Sequence, residues 1–314
     1  MPDPGTPAVL VTGATGAVGR YVVDELLSAT ERTLVLLVRD VRSARALFTP
    51  SPRLCFIEGD LHDGEALASH IAPVESAVLL ATSWQDGAAA RAVNVQGQVS
   101  FARALRDRGT RHFVWFGTAS ILDADGSPLA EAESLGSPYI ASKAEARRAL
   151  LADLGESLTI VHPTLVVAGA ADRPWSHVAR LLPTIERFAW LARIIEAEGS
   201  FHLVHAADLA TLVRELLARG ADHSPREVIA GAPPVTIRQA LDLILDRVGG
   251  RRWGSVALTP RRVERLLLLL RAELSPWDRY CLGQRHFTYA DARLTLTASP
   301  RFASAREILA TVPR

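Results

Sequence analysis

Short runs of uninterrupted apolar residues alternate with amphipathic stretches along the first half of the chain. Ala8 to Gly13, AVLVTG, is one such run closed by glycine, the pattern of a strand buried on both faces. Thr33 to Val38, Leu54 to Gly59, Ser76 to Thr82, His112 to Thr118 and Leu158 to Val167 repeat it. Ala- and Arg-rich segments separate most of them, and in the first Val18, Val22 and Leu26 fall at helical spacing. This alternation predicts an α/β fold with a doubly wound parallel sheet. After Gly169 the rhythm loosens. Helices are expected around His177 to Glu198, Ala207 to Arg219 and Ile237 to Val248, and Arg226 to Gly231 reads as one more strand of the sheet. Residues 1–169 would then build the sheet domain, with 201–232 returning to it. Residues 170–200 and 233–314 would form a smaller, mostly helical lobe.

Composition narrows the function classes. The 314 residues carry 35 Lys+Arg against 34 Asp+Glu, interspersed, for a formal charge of +1. Nothing in that balance builds a polyanion-binding surface, so nucleic acid is not an expected partner. Cys55 and Cys281 lack CxxC spacing and are too few for a disulfide framework or a zinc site, so no metal is expected. The longest leucine run, Leu266 to Leu270, falls far short of the ~20 residues that span a bilayer. The N-terminus shows no basic region followed by a long apolar one. The expectation is a cytoplasmic protein acting on a small molecule, without membrane contact, and with a homodimer as the assembly considered.

Candidate chemistry begins where the first strand ends. TGATGAVG, Thr12 to Gly19, spaces Gly13, Gly16 and Gly19 as TGxxGxxG between a strand and a helix. Glycines there let backbone approach a pyrophosphate, and the helix start supplies free N–H groups and the positive end of its dipole. Thr15, Ala17 and Val18 complete the loop. The second strand runs into Arg39 and Asp40. An acid at this point accepts from the ribose 2′-hydroxyl of NAD, whereas an arginine accommodates the 2′-phosphate of NADP. Arg39 comes first off the strand, which favours NADP; Asp40 keeps NAD open. Asp60 and Leu61 follow the third strand, where a carboxylate could accept from an adenine amino group or simply cap a turn.

The remaining signal is SPYIASKAEARR, Ser137 to Arg148. It holds the only lysine of the chain, Lys143, four residues after Tyr139, one of four tyrosines. On a helix the two are neighbours. An ammonium stabilises a phenolate and draws a tyrosine, ordinarily near 10, toward the working range of an acid–base catalyst. Its compact charge also suits ribose hydroxyls better than the broad fork of arginine.

These motifs together resemble the short-chain dehydrogenase/reductase superfamily, in its extended branch of NAD-dependent epimerase/dehydratase type, over nearly the whole chain. The resemblance implies a Rossmann domain that binds the dinucleotide and a C-terminal lobe that binds substrate. It implies Thr118, at the end of the fifth strand, as the hydroxyl partner of Tyr139 and Lys143. It places Ala81 and Thr82, Asn94 of NVQG, and His162, Pro163 and Thr164 of HPTLVVAG near the cofactor. FHLVHAADLA, Phe201 to Ala210, resembles the stretch that leads into the second lobe. Two positions depart from the family pattern: His162 replaces an arginine, and Gly117 replaces a small hydroxyl residue.

Hydride transfer at nicotinamide is the implied chemistry, with Tyr139 exchanging a proton with the substrate oxygen. A 4,6-dehydratase needs an acid pair directly after the threonine, where this chain has Ala119 and Ser120. A nucleotide-sugar epimerase needs a diphosphate clamp, for which Arg173, Arg180 and Arg187 at seven-residue spacing are the candidates, although a solvated basic stripe would show the same spacing. Trp175, Phe188, Trp190, Trp253 and Trp277 could instead form an apolar substrate pocket, or belong to the core. The expected function is an NADP(H)-dependent reductase of a small carbonyl compound. The alternatives are an epimerase and, in another class, a non-catalytic NADP-binding regulatory protein.

Overall fold

The computed structural model describes residues 8–84, 87–170, 172–259, 261–263, 265 and 273–313. The leucine run at 266–270 lies outside them. Seven parallel strands form the central sheet: β1 (Ala8–Thr12), β2 (Thr33–Val38), β3 (Leu54–Glu58), β4 (Ser76–Leu79), β5 (His112–Phe116), β6 (Leu158–Pro163) and β7 (Glu227–Ala230). Their order is β7-β6-β5-β4-β1-β2-β3. The chain thus winds outward from β1 in both directions, and the crevice outside the β1 and β4 ends is where such sheets take ligands.

The apolar runs were uninterrupted because both faces of the sheet are covered. On one face helices Gly19–Ala29 and Ala206–Arg219 bury Val22, Leu26, Leu212 and Leu216 against Val9, Val11, Leu34 and Leu36. On the other, helices Gln98–Asp107 and Pro138–Leu154 bury Phe101, Leu105, Ala146 and Leu150 against Leu10, Phe113 and Trp115.

Two segments differ from the sequence expectation. The run 158–167 is not one strand: β6 stops at Pro163, and Leu165–Val167 pairs instead with Leu203–His205. Thr164 turns between them, its N–H and hydroxyl both donating to the Ala230 carbonyl at 3.0 Å. The stretch 177–198 is not one helix either. It divides into His177–Arg187, Ala189–Ala192 and a short strand Ile195–Glu196 that pairs with Val256–Ala257. Pairing with that strand requires extended backbone, which helix would not supply.

Candidate active site

Helix Pro138–Leu154 carries the tyrosine and the lysine. Ser137 caps it, its hydroxyl accepting from the Ile140 N–H at 3.4 Å, and Pro138 opens the first turn, where no N–H is needed. Tyr139, Lys143 and Arg147 then follow at four-residue spacing along one face. Lys143 is 2% exposed. Its Nζ donates to the Phe116 carbonyl at 2.8 Å, and the ammonium lies 4.9 Å from the Trp115 ring centroid and 6.0 Å from that of Tyr139. Burial draws this ammonium down to about 7. The structure therefore joins Tyr139, Lys143 and the end of β5.

Thr118 lies two residues beyond the end of β5 and is buried. Its hydroxyl accepts from the Ser120 N–H at 3.3 Å and lies close enough to the Tyr139 phenol to favour its ionised form. Burial pushes that phenol above its ordinary value, and Thr118 opposes the rise. The lowering expected from Lys143 does not appear. An ammonium that is itself fully buried, 6.0 Å from the ring, does not outweigh the desolvation of the phenol.

Trp84 covers one face of the Tyr139 ring. It sits beyond β4 with its indole stacked on the Tyr139 ring, centroids 3.9 Å apart and planes 17° apart, and His177 lies 4.2 Å away from the same indole. The backbone leading to Trp84 is fixed by Asn94, which is fully buried. Asn94 Oδ1 accepts from the Ser83 N–H at 2.7 Å and the Thr82 hydroxyl at 3.1 Å. Asn94 Nδ2 donates to the Ser83 carbonyl and the Ser142 hydroxyl. One amide thus ties the loop after β4 to the tyrosine helix.

The glycine loop has the form its sequence implied. Gly13 adopts φ +68°, and a Cβ there would lie 2.7 Å from the Ala81 nitrogen. A Cβ on Gly19 would lie 2.1 Å from the Gly13 carbonyl oxygen, so the helix starts tight against the loop. Thr15 and Gly16 remain exposed at its tip, in front of the helix start. Backbone this close to a helix N-terminus fits a pyrophosphate. Thr15, Gly16, Ala17 and Val18 would hold it, and Lys143 would hold the nicotinamide ribose.

Residues 13–179, more than half of the chain, match the family model described as NAD(P)H-binding. The chain belongs to the NAD(P)H-binding family. Two curated relatives match over shorter stretches. An uncharacterized chloroplastic protein of Arabidopsis thaliana is 34% identical over 113 residues, 35% of this chain and 40% of that protein. The photosystem II assembly factor Ycf39 of Synechocystis sp. (strain ATCC 27184 / PCC 6803 / Kazusa) is 25% identical over 134 residues, 42% and 40% respectively. The chain spans about two fifths of the length of these curated relatives. Among solved structures, dTDP-glucose 4,6-dehydratase from Bacillus anthracis str. Ames, in complex with NAD, superimposes with a TM-score of 0.70. It is 16% identical and the match covers 98% of this chain and 95% of that one, a likeness of fold. The NAD(P)H-binding expectation thus holds for the family, and the extended short-chain dehydrogenase/reductase resemblance for the fold.

Within this NAD(P)H-binding chain the other candidate positions divide. Asp40 is a helix cap: it accepts from the Ser43 N–H at 3.1 Å and the Ser43 hydroxyl at 2.6 Å, which hold its carboxyl below the usual range. Arg39 is exposed and has no acidic partner among the described residues. Asp60 also caps a turn, accepting from the His62 N–H at 3.0 Å, while the Leu61 side chain is buried in the core. His162 is fully buried; Pro163 ends β6.

The three arginines do not line one face. Arg173 lies before the helix and pairs with Asp24 at 2.8 Å, while Arg180 and Arg187 are exposed. Nor do the five aromatic residues converge: Phe188, Trp190 and Trp253 are exposed, and Trp277 alone packs into the cluster that includes Tyr139. No cluster able to hold a metal exists among the described residues, nor a helix long and apolar enough to cross a membrane.

Sequence reasoning missed three residues. Trp84 was a lone aromatic in a polar loop just beyond a strand. Arg20 was a charge in the first turn of an apolar helix; it is 6% exposed, its guanidinium lies 4.9 Å from the Phe48 ring centroid, and its Nε has no hydrogen-bond partner among the described residues. Glu227 was an acid opening an otherwise apolar edge strand. The register that brings it to His162 was not legible before the sheet was closed.

Proposed function

We propose that this protein is an NADP(H)-dependent oxidoreductase that reduces a small, largely apolar carbonyl compound or oxidises the corresponding alcohol. The observation that carries this reading is the Tyr139 phenol beside the Thr118 hydroxyl, with buried Lys143 one turn further along the helix. When bound, a nicotinamide cofactor supplies or accepts the hydride. The chain supplies the proton, at the Tyr139 hydroxyl, and the Thr118 hydroxyl orients the substrate oxygen beside it.

The substrate class rests on what surrounds that pair. Ala119 and Ser120 offer no carboxylic acid for elimination of water. Arg173 is engaged by Asp24, which leaves a diphosphate clamp without one of its members. The wall beside Tyr139 is the indole of Trp84, 54% exposed, which suits an apolar substrate better than a charged one. NADP is favoured over NAD because Asp40 is occupied by Ser43, whereas Arg39, directly after β2, has no acidic partner among the described residues.

The match to an assembly factor favours a second reading, a cofactor-binding assembly or regulatory protein without turnover. An NADPH-oxidation assay across aryl and alkyl ketones and aldehydes separates the two. Turnover that Tyr139→Phe abolishes supports the oxidoreductase. NADPH binding with no turnover on any of them would leave the assembly reading standing.

A further inference from the structure

The two departures from the family pattern are one local arrangement. A Cβ on Gly117 would lie 2.9 Å from His162 Nδ1 and 3.1 Å from its Cε1. The imidazole occupies the space that a side chain at 117 would need. It makes two contacts there: Nδ1 to the Thr118 carbonyl at 3.3 Å and Nε2 to Glu227 Oε2 at 2.6 Å. Arg147 grips the same carboxylate from the tyrosine helix, Nε to Oε2 at 2.8 Å and Nη2 to Oε1 at 2.5 Å.

Both partners of His162 are acceptors. A carbonyl oxygen only accepts. Burial works against ionisation of Glu227, but hydrogen bonds from His162 and Arg147 outweigh it and hold the carboxyl at about 2, so this group too only accepts. Both ring nitrogens thus face acceptors, and the ring is held between its partners. An aliphatic side chain would fill this buried space without desolvating charge, so stability alone does not account for the pair.

The contacts close a loop on the reacting residues. Tyr139 lies beside the Thr118 hydroxyl; His162 holds the Thr118 carbonyl; Glu227 holds His162; Arg147, two turns after Tyr139, holds Glu227. Lys143 meanwhile holds the Phe116 carbonyl, two residues before Thr118. We propose that His162, braced by Glu227 and Arg147, is a positioning residue that fixes the Thr118 backbone so that its hydroxyl stays beside the Tyr139 phenol. This rests on the reading of Tyr139 and Thr118 as the proton-transfer pair.

The test is a double-mutant cycle joined to amide hydrogen exchange. His162→Leu should lower kcat about 10-fold on a carbonyl compound that the parent reduces, with the NADPH dissociation constant within about twofold of the parent. In a Thr118→Ala background the same change should alter kcat less than about twofold, because the group it positions is gone. His162→Gln, which can reach one partner but not both, should fall between, and stands in if the leucine variant does not fold. Exchange should rise in the peptide covering 116–121 and not in that covering 13–20. An equal loss of kcat with and without Thr118, or unchanged exchange at 116–121, would overturn the proposal. Absence of turnover in the parent on every carbonyl tried would instead remove the Tyr139 reading, while the exchange measurement still decides whether His162 braces Thr118.

Discussion

Gly117 and His162 exclude one another: a methyl on Gly117 would sit 2.9 Å from the imidazole nitrogen that faces the Thr118 carbonyl. The ring is fully buried between β5 and β7 and cannot retreat without leaving Glu227. Gly117→Ala should therefore destabilise the protein by ~1–3 kcal/mol, the usual scale of overpacking, in urea unfolding. In a His162→Ala background the same methyl meets the edge of Trp115, at 3.2 Å, and should cost less. Equal costs in the two backgrounds would mean that the strain lies elsewhere.

Trp84 makes a second contact of this kind across the site. Its stack on Tyr139 should contribute about 0.5–1.5 kcal/mol beyond simple burial, so Trp84→Ala should lower stability by at least that much. The kinetic expectation is sharper. A wall that binds substrate equally well throughout the reaction changes KM and leaves kcat alone. Trp84→Ala should raise KM for an apolar ketone several-fold, with kcat within about threefold of the parent. A fall in kcat at constant KM would assign the indole to orienting the phenol instead.

Why some of this was legible beforehand and some was not has a physical reason. Strands β1 to β6 announced themselves because a sheet covered on both faces demands continuous apolar runs. Gly13 and Gly19 announced the loop, since a Cβ at either would strike backbone. The Tyr139–Lys143 spacing is a local property of a helix. By contrast, the bond between His162 and Glu227 spans 65 positions and depends on the pairing of β6 with β7, which no local pattern encodes. The direction of the Tyr139 shift also escaped, because it depends on how deeply the phenol is buried.

Cofactor choice tests Arg39, directly after β2. Arg39 is exposed and without an acidic partner among the described residues. A charge-assisted contact to a 2′-phosphate contributes about 1.5–3 kcal/mol, so NADPH should bind one to two decades more tightly than NADH. Arg39→Ala should shrink that gap without weakening NADH. Calorimetry that gives equal dissociation constants for the two cofactors in the parent would rule the preference out.

Burial of Lys143 should be visible in the pH dependence of folding. The folded ammonium is drawn down to about 7, whereas an unfolded lysine titrates near ~10.4. Between those values the unfolded state binds more protons, so stability rises with pH across the window. Lys143→Met removes the term. The stability of the parent relative to this variant should increase by about 2 kcal/mol from pH 7 to pH 9. A constant difference over that range would mean that the ammonium stays charged inside the fold, held by the Phe116 carbonyl and the face of Trp115.

Lys143→Arg asks why one lysine persists in a chain that otherwise uses arginine. Helix propensity scarcely changes, so the helix itself should tolerate it. The site should not. Nζ reaches a single carbonyl from a 2% exposed position, with Trp115 beneath it, and a planar guanidinium is larger and aims its donors differently. Whatever fraction of arginine is accommodated would lose the compact donor that the nicotinamide ribose and the Tyr139 phenol require. Turnover should fall at least ~100-fold, the scale of a general acid–base contribution. Tyr139→Phe should lose activity to a similar degree yet keep cofactor affinity, because only the proton donor is gone. If Lys143→Arg retained near-parental turnover on a substrate that the parent reduces, the lysine would be no more than a buried cation on a helix face.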